Sequence, residues 1–505
     1  MTTPTSSERD RKKGLSVATI GFMTAAAIVT SLRGLPTIAL TEMTMFVYLG
    51  FSIVFFLVPG ALVSAELGGM YPGSGGGVYR WVKEAFNERW GFTAQWLQWI
   101  QNVVWYPTGI AFVAAGAAYV IGRPDLASNR YYIGVFVIVV YWLCTLIVLK
   151  GVEFFAKIAS IMFIAGTVIP GVVLLGLFGY WIASGHPIGW EGTIGSGLGA
   201  AGHPKFFPTF TGLGSVAFLA GFILLFAGVE TQAVHLREMR RPRSFPSAIA
   251  LAALISAGIF VFGSLAIAGI VPFKHLGLLS AVFYAFQLVL THTLHVSGWL
   301  ARAIDLLIAI GGISGVLAWL GGPPRGMLVT TQDGALPPFM QKMNKHEMPI
   351  GILMGQGIVV SLVACIYFLE KNVSVGFFLI GALTIALYLI MYLLMYMTVL
   401  RLRYKRPRLE RPFVVPGGKS GIWVVAGVGF LGAAFALVTS FFPPTLLPIG
   451  TPVTYVMLVA GGTVVLGGLP VLLFQIRRKN WVNKSIEAVE GGQGAGAKDK
   501  AGTPT

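Results

Sequence analysis

Apolar residues fall in about a dozen blocks of roughly 20, each long enough to cross a bilayer core as a helix, with short polar stretches between them. The blocks lie near 15–40, 45–70, 92–121, 131–150, 155–183, 214–236, 245–271, 301–331, 350–369, 374–400, 421–442 and 452–476. The pattern predicts an all-α polytopic membrane protein with twelve transmembrane helices. Composition agrees. Charged residues are 11% of the 505, where a soluble chain carries about 25%.

The excess of 36 basic over 19 acidic residues gives a net charge of +17. Its placement matters more than its size. Basic residues gather in alternate segments: Arg9, Arg11, Lys12 and Lys13; Arg80, Lys83 and Arg89; Arg237, Arg240, Arg241 and Arg243; the run from Arg401 to Arg411; and Arg477, Arg478 and Lys479. The intervening loops hold few, among them Arg123, Arg130, Lys205, Lys274 and Lys371. By the positive-inside rule both termini are cytoplasmic, as expected for a multi-pass protein of the cell inner membrane. A nucleic-acid partner is not expected, because charges scattered over loops build no single basic surface. The lipid bilayer is the expected surrounding, and the oligomeric state stays open. Cys144 and Cys365 both fall inside apolar blocks and read as small packing residues.

Two blocks look interrupted. Met23 to Leu40 brings Thr30, Ser31, Gly34 and Pro36 together. Gly221 to Met239 places Gly228 beside Glu230 in apolar surroundings. Glycine and proline weaken a helix, and a carboxylate at membrane depth is costly unless it meets a partner or a watery cavity. Breaks in corresponding spans, five apart, point to an inverted-repeat transporter. The expected organisation is a cytoplasmic tail at 1–14, a first repeat at 15–183, a second at 214–400, a basic loop with two further helices at 401–480, and a disordered tail at 481–505. A broken helix frees amide N–H groups for a carboxylate and carbonyls for an ammonium, which suits a zwitterionic amino acid.

Other polar residues allow more than one reading. Glu230 is either a coupling group or a structural carboxylate satisfied by hydroxyls such as that of Thr231. Arg33 either attracts an anionic substrate, snorkels outward or pairs with Glu42. Trp105 and Tyr106 are candidates for lining a cavity. Glu66 and Glu84 with Arg80 and Lys83 suggest a cytoplasmic gate network. His186, His203, His235, His292 and His295 show no metal-ligand spacing, and the glycine run at 73–77 lacks the Lys-Ser/Thr of a phosphate loop. No cofactor, no metal and no enzymatic chemistry are expected.

Several segments carry a family resemblance. Tyr71-Pro72-Gly73-Ser74-Gly75-Gly76-Gly77-Val78-Tyr79 resembles the YPxSGGxYxY signature of the amino acid–polyamine–organocation (APC) superfamily. Gly228-Val229-Glu230 is similar to its GVE element, and PFVVPGGK at 412–419 to its loop before the eleventh span. The runs at 23–39 and 321–345 resemble the bacterial glutamate/GABA antiporter branch. The likeness covers about residues 12–480.

The resemblance implies a leucine-transporter-like fold, a 5+5 inverted repeat with helices 1 and 6 broken, and alternating access to a central amino-acid site. It places substrate on backbone from Ala26, Ala27 and Ile28 through Thr30 and Ser31, on Ala227 and Gly228, and on Tyr388 and Tyr392, which lie four apart on one helix face. It gives Glu230 a role in coupling or gating, with Arg33, Trp105 and Ser314 as further candidates. Three departures qualify it. Val29-Thr30-Ser31 replaces a Gly-Ser-Gly, Gly315 (beside Ser314) occupies a position that is acidic in the exchangers, and the tail after Ile476 has no histidine to match their plug. The implied activity is therefore amino-acid exchange, of the glutamate/GABA type or on a related substrate, with small-molecule amino acids as partners and protons as a further candidate. A proton-coupled uptake permease and a nutrient-sensing receptor on the same fold are the alternatives.

Overall fold

A computed structural model describes residues 16–68, 70–71, 77–189, 206–233, 239, 244–445 and 452–482. The predicted N-terminal tail, residues 483–505 of the predicted C-terminal one, residues 72–76 of the glycine motif, His203, His235 and the basic residues from Arg237 to Arg243 lie outside the described residues. The C-terminal tail begins later than expected, because Trp481 ends a short helix, Lys479–Trp481, and its carbonyl accepts from Gln341 Nε2 at 2.7 Å. Eleven helices among those described are long and apolar enough to cross a membrane. The first span adds a twelfth in two short pieces, Val17–Ile28 and, after an extended stretch, Leu32–Gly34 with Leu35–Ala39.

Local sequence sets where these helices start. Asn87 accepts the N–H of Trp90 at 3.1 Å, Asn129 those of Tyr131 and Tyr132 at 3.0 and 3.1 Å, and Asn372 that of Ser374 at 2.9 Å. Each fills donors that the first helical turn leaves unpaired. The third span, Glu88–Val120, and the tenth, Val373–Lys405, form the centre, with 89% and 83% of their membrane windows buried. The fifth, Phe154–Ala183, and the twelfth, Pro452–Gln475, lie at the rim with 28% and 17%. On the fourth span Val135, Val139, Leu143 and Leu146 make an exposed apolar stripe at helical spacing, suited to lipid tails. Gly166 in the fifth span and Gly311 in the eighth meet backbone to backbone, where a methyl on either would fall within 2.3 Å of the other chain segment. Small residues permit that approach.

The two breaks fall where the sequence predicts them, five spans apart, as in a 5+5 inverted repeat. The first is narrower than expected. Val29 to Ser31 leave the helix, whereas Gly34 and Pro36 sit inside the second half. Proline fits there because the first helical turn has no use for its missing N–H. The sixth span breaks between Phe218–Leu225 and Val229–Ala233, with Gly228 at φ +107°. Only glycine adopts that backbone without strain. Two features were not foreseen. A helix at Ala281–Gln287, continued by a wider turn at Leu288–Thr293, precedes the eighth span, and that span stops at Gly321 before a separate helix, Pro323–Gln332.

Candidate functional site

A cavity of about 50 Å³ lies between the two breaks. Its walls are Ile28, Thr30, Ser31, Arg33 and Gly34 of the first span, Gln101, Asn102 and Trp105 of the third, and Leu224, Leu225 and Ala227 of the sixth. Phe260, Trp319 and Tyr388 complete it. Of the predicted substrate residues, Ile28, Thr30, Ser31, Ala227 and Tyr388 line this cavity, as do Arg33 and Trp105. Ala26, Gly228, Tyr392, Glu230 and Ser314 are not among the wall residues, and the Ala27 side chain lies outside what the structure describes. The Ser314 hydroxyl is turned back onto the Gly311 carbonyl at 2.7 Å.

The electrostatics follow from the half-helices. Among the described residues no acceptor takes the N–H groups of Thr30 and Ser31, which open the half-helix that runs to Ala39. Such an end is partially positive. The carboxyl ends of Val17–Ile28 and Phe218–Leu225 face the same space and are partially negative. Two amides add to the negative side. Gln101 and Asn102 both donate to the Gln98 carbonyl at 3.0 Å, which leaves their own side-chain oxygens as acceptors beside the cavity. The pocket thus offers donors on one side and acceptors on the other.

Glu230 is buried and faces the third and tenth spans. Its carboxylate accepts from Gln98 Nε2 at 3.1 Å, from the Tyr388 hydroxyl at 2.5 Å and from the Tyr392 hydroxyl. The expected partner Thr231 is engaged elsewhere, donating to the Gly228 carbonyl at 2.6 Å. The Tyr392 hydroxyl also accepts the Gly228 N–H at 3.2 Å, so this amide at the sixth-span break is already occupied. Arg33 neither snorkels nor pairs with Glu42. Its guanidinium donates to Thr108 Oγ1 at 3.3 Å and lies over the rings of Trp105 and Phe377, 5.2 and 5.6 Å from their centroids.

The eighth span clamps both breaks with residues one turn apart. Trp319 lies against Gly228, where a methyl would come within 2.9 Å of the ring. A methyl on Gly315 would come within 3.0 Å of Thr30 Cβ and 3.1 Å of its carbonyl oxygen. Gly315 is therefore a packing residue at this point, which leaves no space for the acid found there in the exchangers. Sequence reasoning missed Gln98, Gln101, Asn102, Phe260 and the contact of Trp319 with the break. A signal existed for the amides, since Gln95, Gln98, Gln101 and Asn102 recur at helical spacing in an apolar block.

At the far end of the tenth span the predicted charged residues come together; Glu84 meets Arg80 as expected, while Glu66 and Lys83 take other partners. The buried Glu66 carboxylate meets Arg403 and Arg411 and accepts the Val415 N–H at 3.0 Å, fixing the loop before the eleventh span. Burial depresses the affinity of the Arg411 guanidinium for its proton, with Glu66 opposing. Glu84 pairs with Arg80 at 3.2 Å and Arg406 at 2.7 Å, and Lys83 with Asp333 at 2.5 Å. Tyr79 donates to Asp333, and its phenol is pushed well above the ordinary range by burial and by that carboxylate. Among the described residues no group of three or more His, Cys, Asp or Glu is placed to hold a metal ion.

The chain is similar to known transporters over almost its whole length. The family model described as amino acid permease matches residues 15–464. An uncharacterized transporter of Legionella pneumophila is 32% identical over 461 residues, covering 91% of this chain and 96% of the relative. A glutamate/gamma-aminobutyrate antiporter of Lactococcus lactis subsp. cremoris is 33% identical over 460 residues, covering 91% and 90%. A probable agmatine/putrescine antiporter of Lactococcus lactis subsp. lactis is 25% identical over 403 residues, covering 77% and 80%. Twelve spans, two breaks five spans apart and a family match to residues 15–464 lead to one assignment: the chain belongs to the amino acid permease family of the APC superfamily.

Proposed function

We propose that the chain is a secondary amino-acid transporter, working as an antiporter by alternating access in the cell inner membrane, with both termini cytoplasmic. The observation that carries this reading is the cavity between the two broken helices, with free amide donors at Thr30 and Ser31 and amide oxygens at Gln101 and Asn102. A carboxylate sits on the donors and an ammonium on the oxygens and helix carboxyl ends. Tyr388 and Trp105 close over the bound molecule, while Glu230 and Tyr392 hold the sixth-span break in shape from behind. A four-helix hash motif rocks against the other bundle, and the ion pairs around Glu66, Glu84 and Asp333 open and close the cytoplasmic side. The energy comes from the difference in affinity for substrate and counter-substrate on the two faces.

The names of the Lactococcus relatives make glutamate, GABA, agmatine and putrescine the first compounds to try. The test is counterflow in proteoliposomes with a labelled panel of these, glutamine and small neutral amino acids. Label should enter vesicles loaded with an unlabelled partner and not empty ones. A pH gradient that drives accumulation into empty vesicles would instead establish a proton-coupled permease.

A further inference from the structure

Arg33 stands between two cavities. It lines the one already described and also a second, likewise of about 50 Å³, walled by Phe377, Phe378, Gly381, Ser440 and Tyr455. Among the named wall residues of both, it is the only charged one. No carboxylate among the described residues lies within 4.0 Å of its guanidinium, and its one hydrogen bond is the 3.3 Å contact to Thr108. That hydroxyl in turn donates to the Trp105 carbonyl at 2.7 Å. Four of the five N–H donors of the fork therefore meet no acceptor among the described residues. The rings of Trp105 and Phe377 stabilise the cation without satisfying those donors.

A cation held at membrane depth without a counter-ion is costly, and such residues line substrate paths. A plain zwitterion does not need this one. Its carboxylate is served by the Thr30 and Ser31 amides and its ammonium by Gln101, Asn102 and the helix carboxyl ends. A surplus guanidinium fork, steadied by flat rings, matches a second carboxylate in bidentate geometry. We propose that Arg33 is a specificity-determining residue that receives a second, side-chain carboxylate of the substrate, meeting it in the Phe377 cavity and keeping it as the molecule settles between the breaks. The substrate class that follows is the amino acid with an anionic side chain. This rests on the reading of the cavity as an amino-acid site.

The test compares labelled glutamate and glutamine, which match in size and differ in charge, in counterflow by wild type, Arg33→Gln and Arg33→Lys. Arg33→Gln should cut glutamate exchange at least tenfold relative to glutamine, and Arg33→Lys should fall between, since a point charge replaces the fork. Equal losses for both substrates, as expected if Arg33 merely supports the fold or takes the α-carboxylate, would overturn the proposal, as would no loss. If Arg33→Gln does not fold, the Arg33→Lys ratio decides. Exchange of other panel members with none of glutamate overturns the proposal and leaves the transport reading intact; should wild type exchange no member of the panel, the transport reading fails on its own. Arg33 is then judged by the rise in unfolding temperature on adding glutamate: a rise in wild type that Arg33→Lys diminishes supports the proposal, and the same response in both, or none, overturns it.

Discussion

The hydroxyl of Tyr392 accepts the N–H of Gly228 and donates to the carboxylate of Glu230, so one side chain of the tenth span holds the sixth-span break open. Tyr388, one turn earlier, also donates to Glu230 but faces the cavity as well. The two tyrosines should therefore separate experimentally. Tyr392→Phe abandons two buried hydrogen-bond partners, at about 1–3 kcal/mol for each one left unsatisfied. It should lower the unfolding temperature in detergent more than Tyr388→Phe does. Tyr388→Phe should do more to the substrate concentration for half-maximal exchange. Equal effects of the two on both measures would contradict this division.

Two buried carboxylates should respond differently to their replacement by amides. Glu230 has three donors, whereas Asp305 accepts one bond from Gln287 at 3.2 Å and leaves Oδ1 buried without a partner. Glu230→Gln turns an amide NH₂ toward donors, at about 1–3 kcal/mol per group left unpaired. Asp305→Asn removes an uncompensated charge and keeps an acceptor for Gln287. Thermal unfolding should show a clear fall for the first and no fall for the second.

Gly315 predicts the outcome of restoring the exchangers' acid. Because Thr30 stands so close, Gly315→Glu should abolish exchange without adding a new activity. Gly315→Ala should reduce exchange, and adding Thr30→Gly should recover part of it. Rates in reconstituted vesicles check both. Full activity of Gly315→Glu would mean the first break yields more easily than its packing implies.

On the basic face, Glu66 is fully buried between Arg403 and Arg411. Glu66→Gln leaves two guanidinium groups without their counter-ion, and breaking a buried pair in this way costs about 3–5 kcal/mol. A large drop in unfolding temperature is expected, measured by tryptophan fluorescence on heating.

The spans and the two breaks were legible because lipid forces a long apolar block and because Gly228 and the Thr30-Ser31 pair stand out within one. What stayed hidden depends on neighbours distant in the chain. Gln98 lies 132 positions from the carboxylate it supports. Nothing near Thr231 says that its hydroxyl turns to a local carbonyl while Tyr388 and Tyr392 reach Glu230 from another span. In the sequence Pro36 reads as a breaker, but its effect depends on where the half-helix begins, and only Val29 to Ser31 fix that. Arg33 had three open fates in the sequence. The rings of Trp105 and Phe377, which meet it only in the folded bundle, select the inward one.

The most direct test of the central claim is a cryo-EM structure with an exchanged amino acid bound. The account predicts ligand density between residues 29–31 and 226–228, its α-carboxylate within hydrogen-bond reach of the Thr30 and Ser31 amides and its ammonium beside Gln101 and Asn102. Density elsewhere, or helices that run unbroken through both segments, would contradict it.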